Sequence, residues 1–115
     1  VSLETMKQYL YASDLGIMPY AKKDNFYYSP LKMYDMIGAG LPFIGTSVGQ
    51  IEEYSLSELS DNFLCNNPSV DSFCDRIKNL KNNGISLKNM QLQVNQSREC
   101  ASWKKRSQNL LQEIQ

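Results

Sequence analysis

The chain has 115 residues, 42% of them hydrophobic and 21% charged, which is the size and composition of a single globular domain at most. Twelve basic residues balance twelve acidic ones, so the net charge is zero, which argues against a general nucleic-acid binder, since that would need a basic surface. Histidine is absent, which excludes any Ser-His or Cys-His catalytic set within the chain and removes the commonest catalytic metal ligand.

No apolar run approaches the roughly 20 residues needed to span a bilayer. The three cysteines, Cys65, Cys74 and Cys100, are odd in number and fit no zinc or redox spacing. Reduced thiols in a cytosolic protein are expected. No signal peptide is evident, and the chain begins at Val1 rather than Met. A processed start or a piece of a longer protein is expected.

In chain order, Ser2 is positioned to cap a helix over Leu3–Ala12, with Leu3, Met6, Leu10 and Tyr11 as its apolar stripe. The run Leu15-Gly16-Ile17-Met18 reads as a short strand covered on both faces, stopped by Pro19. Residues 20–28 read as a loop. Lys22-Lys23-Asp24 reads as a solvated loop. Phe26-Tyr27-Tyr28 either packs over the next helix or lines a cleft.

Ser29 is a good N-cap, and Pro30 suits the first helical position. The helix should run to about Ala39, with Gly40 as its C-cap. Met33, Tyr34 and Ile37 share one face, while Lys32, Asp35 and Ala39 share the other. An apolar face can thus pack on a sheet while a cation and a carboxylate point together into a cleft. The helix N-terminus suits an anion such as a phosphate. Alternatively, Lys32 and Asp35 form an ordinary i,i+3 surface ion pair.

Pro42–Thr46 reads as a buried strand. A polar turn follows, in which Gly49 either serves a plain turn or lets the backbone approach a ligand. Ile51–Leu56 is a short helix or turn, and Asn62–Asn66 a third short strand. Ser69 should cap a helix over Val70–Asn82 with the stripe Val70, Phe73, Cys74, Ile77 and Leu80. Ser86 should cap a helix over Leu87–Cys100, and Ser102 a last one containing Trp103, Leu110, Leu111 and Ile114. Alternation of this kind predicts an α/β fold with a parallel sheet and right-handed crossovers. Residues 1–83 form the α/β core and 84–115 a tail of C-terminal helices.

The stretch Ser29, Pro30, Leu31, Lys32, Asp35, Gly40, Pro42 resembles the donor-binding motif of retaining glycosyltransferases of the GT-B fold, family GT4 (glycosyl transferases group 1). More precisely it resembles their Ser-Pro-Leu-Lys branch. Ala12, Asp14, Pro19 and Tyr20 resemble the segment before that motif. Val48, Gly49 and Glu52 or Glu53 resemble the family's Gly-Gly-x-x-Glu segment, and Ser102-Trp103-Lys104 its C-terminal Ser-Trp start.

The resemblance implies a partial Rossmann-like sheet, the second half of the GT-B C-terminal domain. It implies a nucleotide-diphosphate sugar as substrate, with no metal and no further cofactor. Ser29, Leu31 and Lys32 would meet the diphosphate, Asp35 the ribose, and Tyr27 and Tyr28 would lie near the sugar. The chain departs from the family in carrying Asp35 for the second Glu and Tyr27 for the first. The N-terminal acceptor domain would be a missing partner, as would the upstream Arg and Lys that neutralise the donor phosphates.

With no catalytic residue of its own, the chain alone is expected to be an inactive part of a cytoplasmic transferase. That enzyme would act on a glycan or lipid-linked acceptor at the inner face of the membrane, associated peripherally through the missing domain. An open sheet edge would favour homo-oligomers. The alternatives are a non-catalytic nucleotide- or partner-binding α/β module, and a related nucleotide-sugar epimerase.

Overall fold

A computed structural model of the chain describes residues 2–21, 31–101 and 103–114. The elements are helix α1 (Leu3–Ala12), strand β1 (Gly16–Met18), helix α2 (Leu31–Gly38), strand β2 (Phe43–Thr46) and helix α3 (Gly49–Glu58). A 3-10 turn (Asp61–Phe63), strand β3 (Leu64–Cys65) and helices α4 (Val70–Asn82), α5 (Gly84–Ala101) and α6 (Trp103–Ile114) complete them.

The sheet has the order β1-β2-β3 and is parallel throughout. Gly16 stands opposite Phe43, Ile17 opposite Ile44, Met18 opposite Gly45, and Gly45 opposite Leu64. The fold is therefore the α/β arrangement with a parallel sheet that the alternation predicts, and it is consistent with a partial Rossmann-like fold. All four residues of β2 are buried, as a central strand requires.

One face of the sheet is packed by α2 and α3. Met36 of α2 stands over Gly16, and Ile51 of α3 stands over Gly45. Met33, Ile37, Phe43, Ile44, Ile51 and Phe63 are fully buried, each contributing about 1.5–3 kcal/mol by leaving water. The Phe43 and Phe63 rings meet edge-on, with centroids 5.1 Å apart. Such a pair adds about 0.5–1.5 kcal/mol beyond the area it buries.

Caps follow the sequence at two helices. Ser2 accepts a hydrogen bond from the Thr5 N–H at 3.2 Å, and Ser69 from the Ser72 N–H at 3.1 Å. At α5 the cap differs from the expectation. The helix starts at Gly84, Ser86 lies inside its first turn, and Asn83 Oδ1 accepts the Ser86 N–H at 3.3 Å. Asn and Ser are equivalent caps, so the residue one turn earlier wins once Gly84 and Ile85 join the helix. Ser102 lies outside the described residues.

Three further expectations change. The third strand is two residues long, because Asp61–Phe63 wind into the 3-10 turn that lifts Phe63 into the core. Helix α3 is longer than the short element expected and starts at Gly49. The stripe of α1 is not buried, with Leu3 63% and Tyr11 68% exposed. Among the described residues the sheet ends at β1, and α1 lines a groove together with α2. Within α4, Phe73 and Leu80 are buried, while Val70 and Cys74 point outward.

Helix α5 is part of the same core. Met90 and Val94 are buried, and the helix packs on α2 and α4. Tyr54 Oη donates to the Ser97 carbonyl at 3.3 Å, tying α3 to α5 as well.

Two stability measurements follow. Gly40 has φ +72°, and a Cβ there would lie 2.8 Å from Asn95 Oδ1. Gly40→Ala should cost about 1–2 kcal/mol in denaturant unfolding, mostly from the left-handed backbone. The Ser55 hydroxyl is buried and has no hydrogen-bond partner among the described residues. Ser55→Ala should leave stability unchanged or raise it by up to about 1 kcal/mol, and a loss above that would mean the hydroxyl is satisfied.

Candidate functional site

Helix α2 is built to present its first turn to one edge of the sheet. Its end is fixed by two hydrogen bonds, Leu41 N–H to Met36 O at 2.9 Å and Gly40 N–H to Ile37 O at 3.0 Å. With Gly40 left-handed, these make a Schellman stop, and the chain enters β2 two residues later. The C-terminal part of α2 thus lies at the start of β1 and β2, where Met36 meets Gly16. The N-terminus is directed toward the opposite edge, where the strands end. In open parallel sheets that edge carries the ligand crevice.

The first turn begins with Leu31 and Lys32, both exposed, and Leu31 is 73% so. Met33 and Ile37 point into the core, as the 3.6-residue period predicts. Tyr34 is half-buried and structural. Its hydroxyl donates to Gln50 Oε1 at 3.4 Å, and its ring meets Tyr54 edge-on with centroids 5.9 Å apart. It joins α2 to α3.

The same edge carries the start of α3. Thr46 Oγ1 donates to the Met18 carbonyl at 3.4 Å, and Ser47 N–H to the Cys65 carbonyl at 3.2 Å. The three strand ends are thereby drawn together. Val48 stands at the N-cap position with no side-chain cap, and Gly49 has φ +50°. The first N–H groups of α3 are therefore not closed by a capping side chain. The resemblance drew attention to Val48 and Gly49. The contribution of Gln50 was not foreseen, because a tyrosine–glutamine contact sixteen residues apart leaves no local signal.

Asp35 is exposed and lines a groove of about 240 Å³ between α1 and α2. The opposite wall is Leu3, Met6, Leu10 and Tyr11, with Lys7 among them. Lys7 is held 3.6 Å from Glu4, an exposed pair of little energetic weight. Lys32 is not on the wall of this groove, and no ion pair between Lys32 and Asp35 occurs among the described residues. The carboxylate and the cation thus do not share that groove. Tyr27, Tyr28 and Ser29 lie outside the described residues, as do Pro30 and Lys22-Lys23-Asp24.

Among the described residues, no group of acidic or thiol side chains is clustered to hold a metal ion, and no helix is long and apolar enough to cross a membrane.

Substitution separates scaffold from site on this helix. Tyr34→Ala should cost about 1–3 kcal/mol, since it removes a half-buried ring and the link to α3. Asp35→Ala should change stability by less than about 0.5 kcal/mol, because the carboxylate is exposed. A loss at Asp35 as large as at Tyr34, measured by urea unfolding, would make that carboxylate part of the scaffold.

No protein-family model, curated protein or solved structure matches the chain.

Proposed function

We propose that the chain is the donor-binding part of a retaining glycosyltransferase, taking a nucleotide-diphosphate sugar and serving a glycan or lipid-linked acceptor. The observation that carries this reading is the Ser-Pro-Leu-Lys stretch itself. It leads into a helix whose first turn is directed to the strand-end edge of a parallel sheet, and which stops at Gly40.

In this reading the N–H groups of Leu31 and Lys32 and the Ser29 hydroxyl meet the diphosphate. Lys32 adds charge, and fixed donors of this kind stabilise a leaving diphosphate without metal or histidine chemistry. Asp35 accepts from the ribose hydroxyls. Tyr27 and Tyr28 lie toward the sugar. A second domain supplies the acceptor site and the remaining phosphate-binding cations. The protein then works in the cytoplasm, at the inner face of the membrane when its acceptor is lipid-linked.

One observation favours a second reading, a non-catalytic module that binds a partner. The groove holding Asp35 is walled on one side by apolar residues of α1, and it excludes Lys32. A groove of that make-up suits an apolar side chain as well as a ribose.

Titration calorimetry with nucleoside diphosphates and the matching nucleosides separates the two. Lys32→Ala should weaken the diphosphate about ten-fold, or 1.4 kcal/mol, and leave the nucleoside within about two-fold. Asp35→Ala should weaken both equally, because both carry the ribose. Equal losses in the Lys32 variant would make the lysine a surface charge only. Absence of any nucleotide binding by the chain joined to its second domain would leave the partner-binding reading.

A further inference from the structure

A second cleft, of about 320 Å³, lies between α4 and α5. It includes Asn62 of the 3-10 turn that precedes β3. It therefore sits toward the edge where the strands begin, opposite to the first turn of α2. Its floor is apolar, formed by Leu80 and Met90, which are 8% and 2% exposed. Its walls carry Arg76, four asparagines, Gln93 and Ser86, and no acidic side chain.

Three of these polar groups are anchored. Arg76 Nη2 donates to the Asn62 carbonyl. Asn83 Oδ1 accepts the Ser86 N–H at 3.3 Å, and Gln93 Oε1 accepts the Ser60 hydroxyl at 3.2 Å. Both amide oxygens are thus engaged, which leaves the two NH₂ groups and the rest of the guanidinium as donors. Asn79 and Asn89 add complete amides, each able to donate and accept.

We propose that this cleft binds a carboxylated monosaccharide, a hexuronate. A wall with one cation, an excess of N–H donors and no carboxylate selects an acceptor-rich anion. Arg76 takes the carboxylate, for which the planar guanidinium is suited. The asparagine amides match ring hydroxyls, which also donate and accept. The C–H face of the ring lies on Leu80 and Met90. The volume is at the low end for ligand pockets, which fits one sugar ring and not a nucleotide. The site is independent of the donor-binding reading.

The test is a titration of the full chain, followed by amide chemical shifts, with glucuronate, glucose, acetate and inorganic phosphate as separate arms. Glucuronate should bind with a dissociation constant of about 1 mM, and glucose and acetate each at least about ten-fold more weakly. The shifts should concentrate on α4 and α5. Arg76→Gln should lower glucuronate affinity about ten-fold. Because Arg76 also holds the Asn62 carbonyl, a second variant is needed.

Asn89→Asp adds a carboxylate at an exposed position whose side chain has no hydrogen bond to another described residue. It should weaken glucuronate about five-fold while changing glucose less than about two-fold. Lys32→Ala should change neither, so failure here and failure of the donor site are read separately. Equal binding of glucuronate and glucose, tighter binding of phosphate, or an Asn89→Asp variant indistinguishable from the parent would overturn the proposal.

Discussion

Parallel pairing of β2 on both of its edges sets the rest of the structure. A parallel neighbour cannot be reached by a tight turn, so the chain must return across a face before each new strand. Both returns, through α2 and through α3, use the face that carries Gly16 and Gly45. Two consequences follow from one pairing pattern. β2 is sealed on both faces, and the starts of α2 and α3 are directed to the same edge, beyond Met18, Thr46 and Cys65. The helix starts meet there through Tyr34 and Gln50. The shared edge is thus a product of topology, and only what lines it is a matter of side-chain choice.

What could be read beforehand divides along a physical line. Period and caps are local, and they were legible: Ser2 and Ser69 cap as expected, Met33 and Ile37 fill the core, and Gly40 ends α2 in the left-handed region. The parallel order of the three strands was legible too, because short apolar strands alternating with helices admit few other arrangements. What failed was any inference about which partner an element meets. Leu3 and Tyr11 have the right period, but no described strand lies beyond β1 to receive them. Val70 and Cys74 are apolar by composition yet lie off the face that Phe73 and Leu80 occupy. Ser86 was a sound cap with a competitor, Asn83, three residues earlier.

The candidate site shows the same division more sharply. That Lys32 and Asp35 lie on the solvent side of α2 follows from 100° per residue. That Asp35 faces α1 while Lys32 does not is a tertiary fact. On a helix only eight residues long, a shift of three positions carries a side chain from one groove to the next turn. A diphosphate bound at the first turn and a ribose bound at Asp35 would be separated along the axis by about one turn, roughly 5 Å. That spacing is compatible with a single nucleotide diphosphate lying along the helix. It requires the ribose to enter beside Tyr11 and Tyr34, where the groove is aromatic.

The exposures on the β1 side bear on the same point. Leu3, Tyr9 and Tyr11 of α1, Ile17 of β1 and Leu31 of α2 are all exposed large apolar residues. Scattered singly, such residues need no explanation. Among the described residues these are five of eleven exposed large apolar residues, the other six lying on α3 to α6, and Leu3, Tyr9, Tyr11 and Ile17 belong to the two elements at the end where the described sheet stops at β1. The middle residue of an edge strand in a parallel pair also turns its own N–H and C=O outward, away from β2. For β1 that residue is Ile17, whose side chain is 46% exposed. Apolar surface and open backbone groups at one end of a sheet are what a further strand and its covering layer would remove from water. On the donor-binding reading this is where the additional strands and their phosphate-binding cations belong.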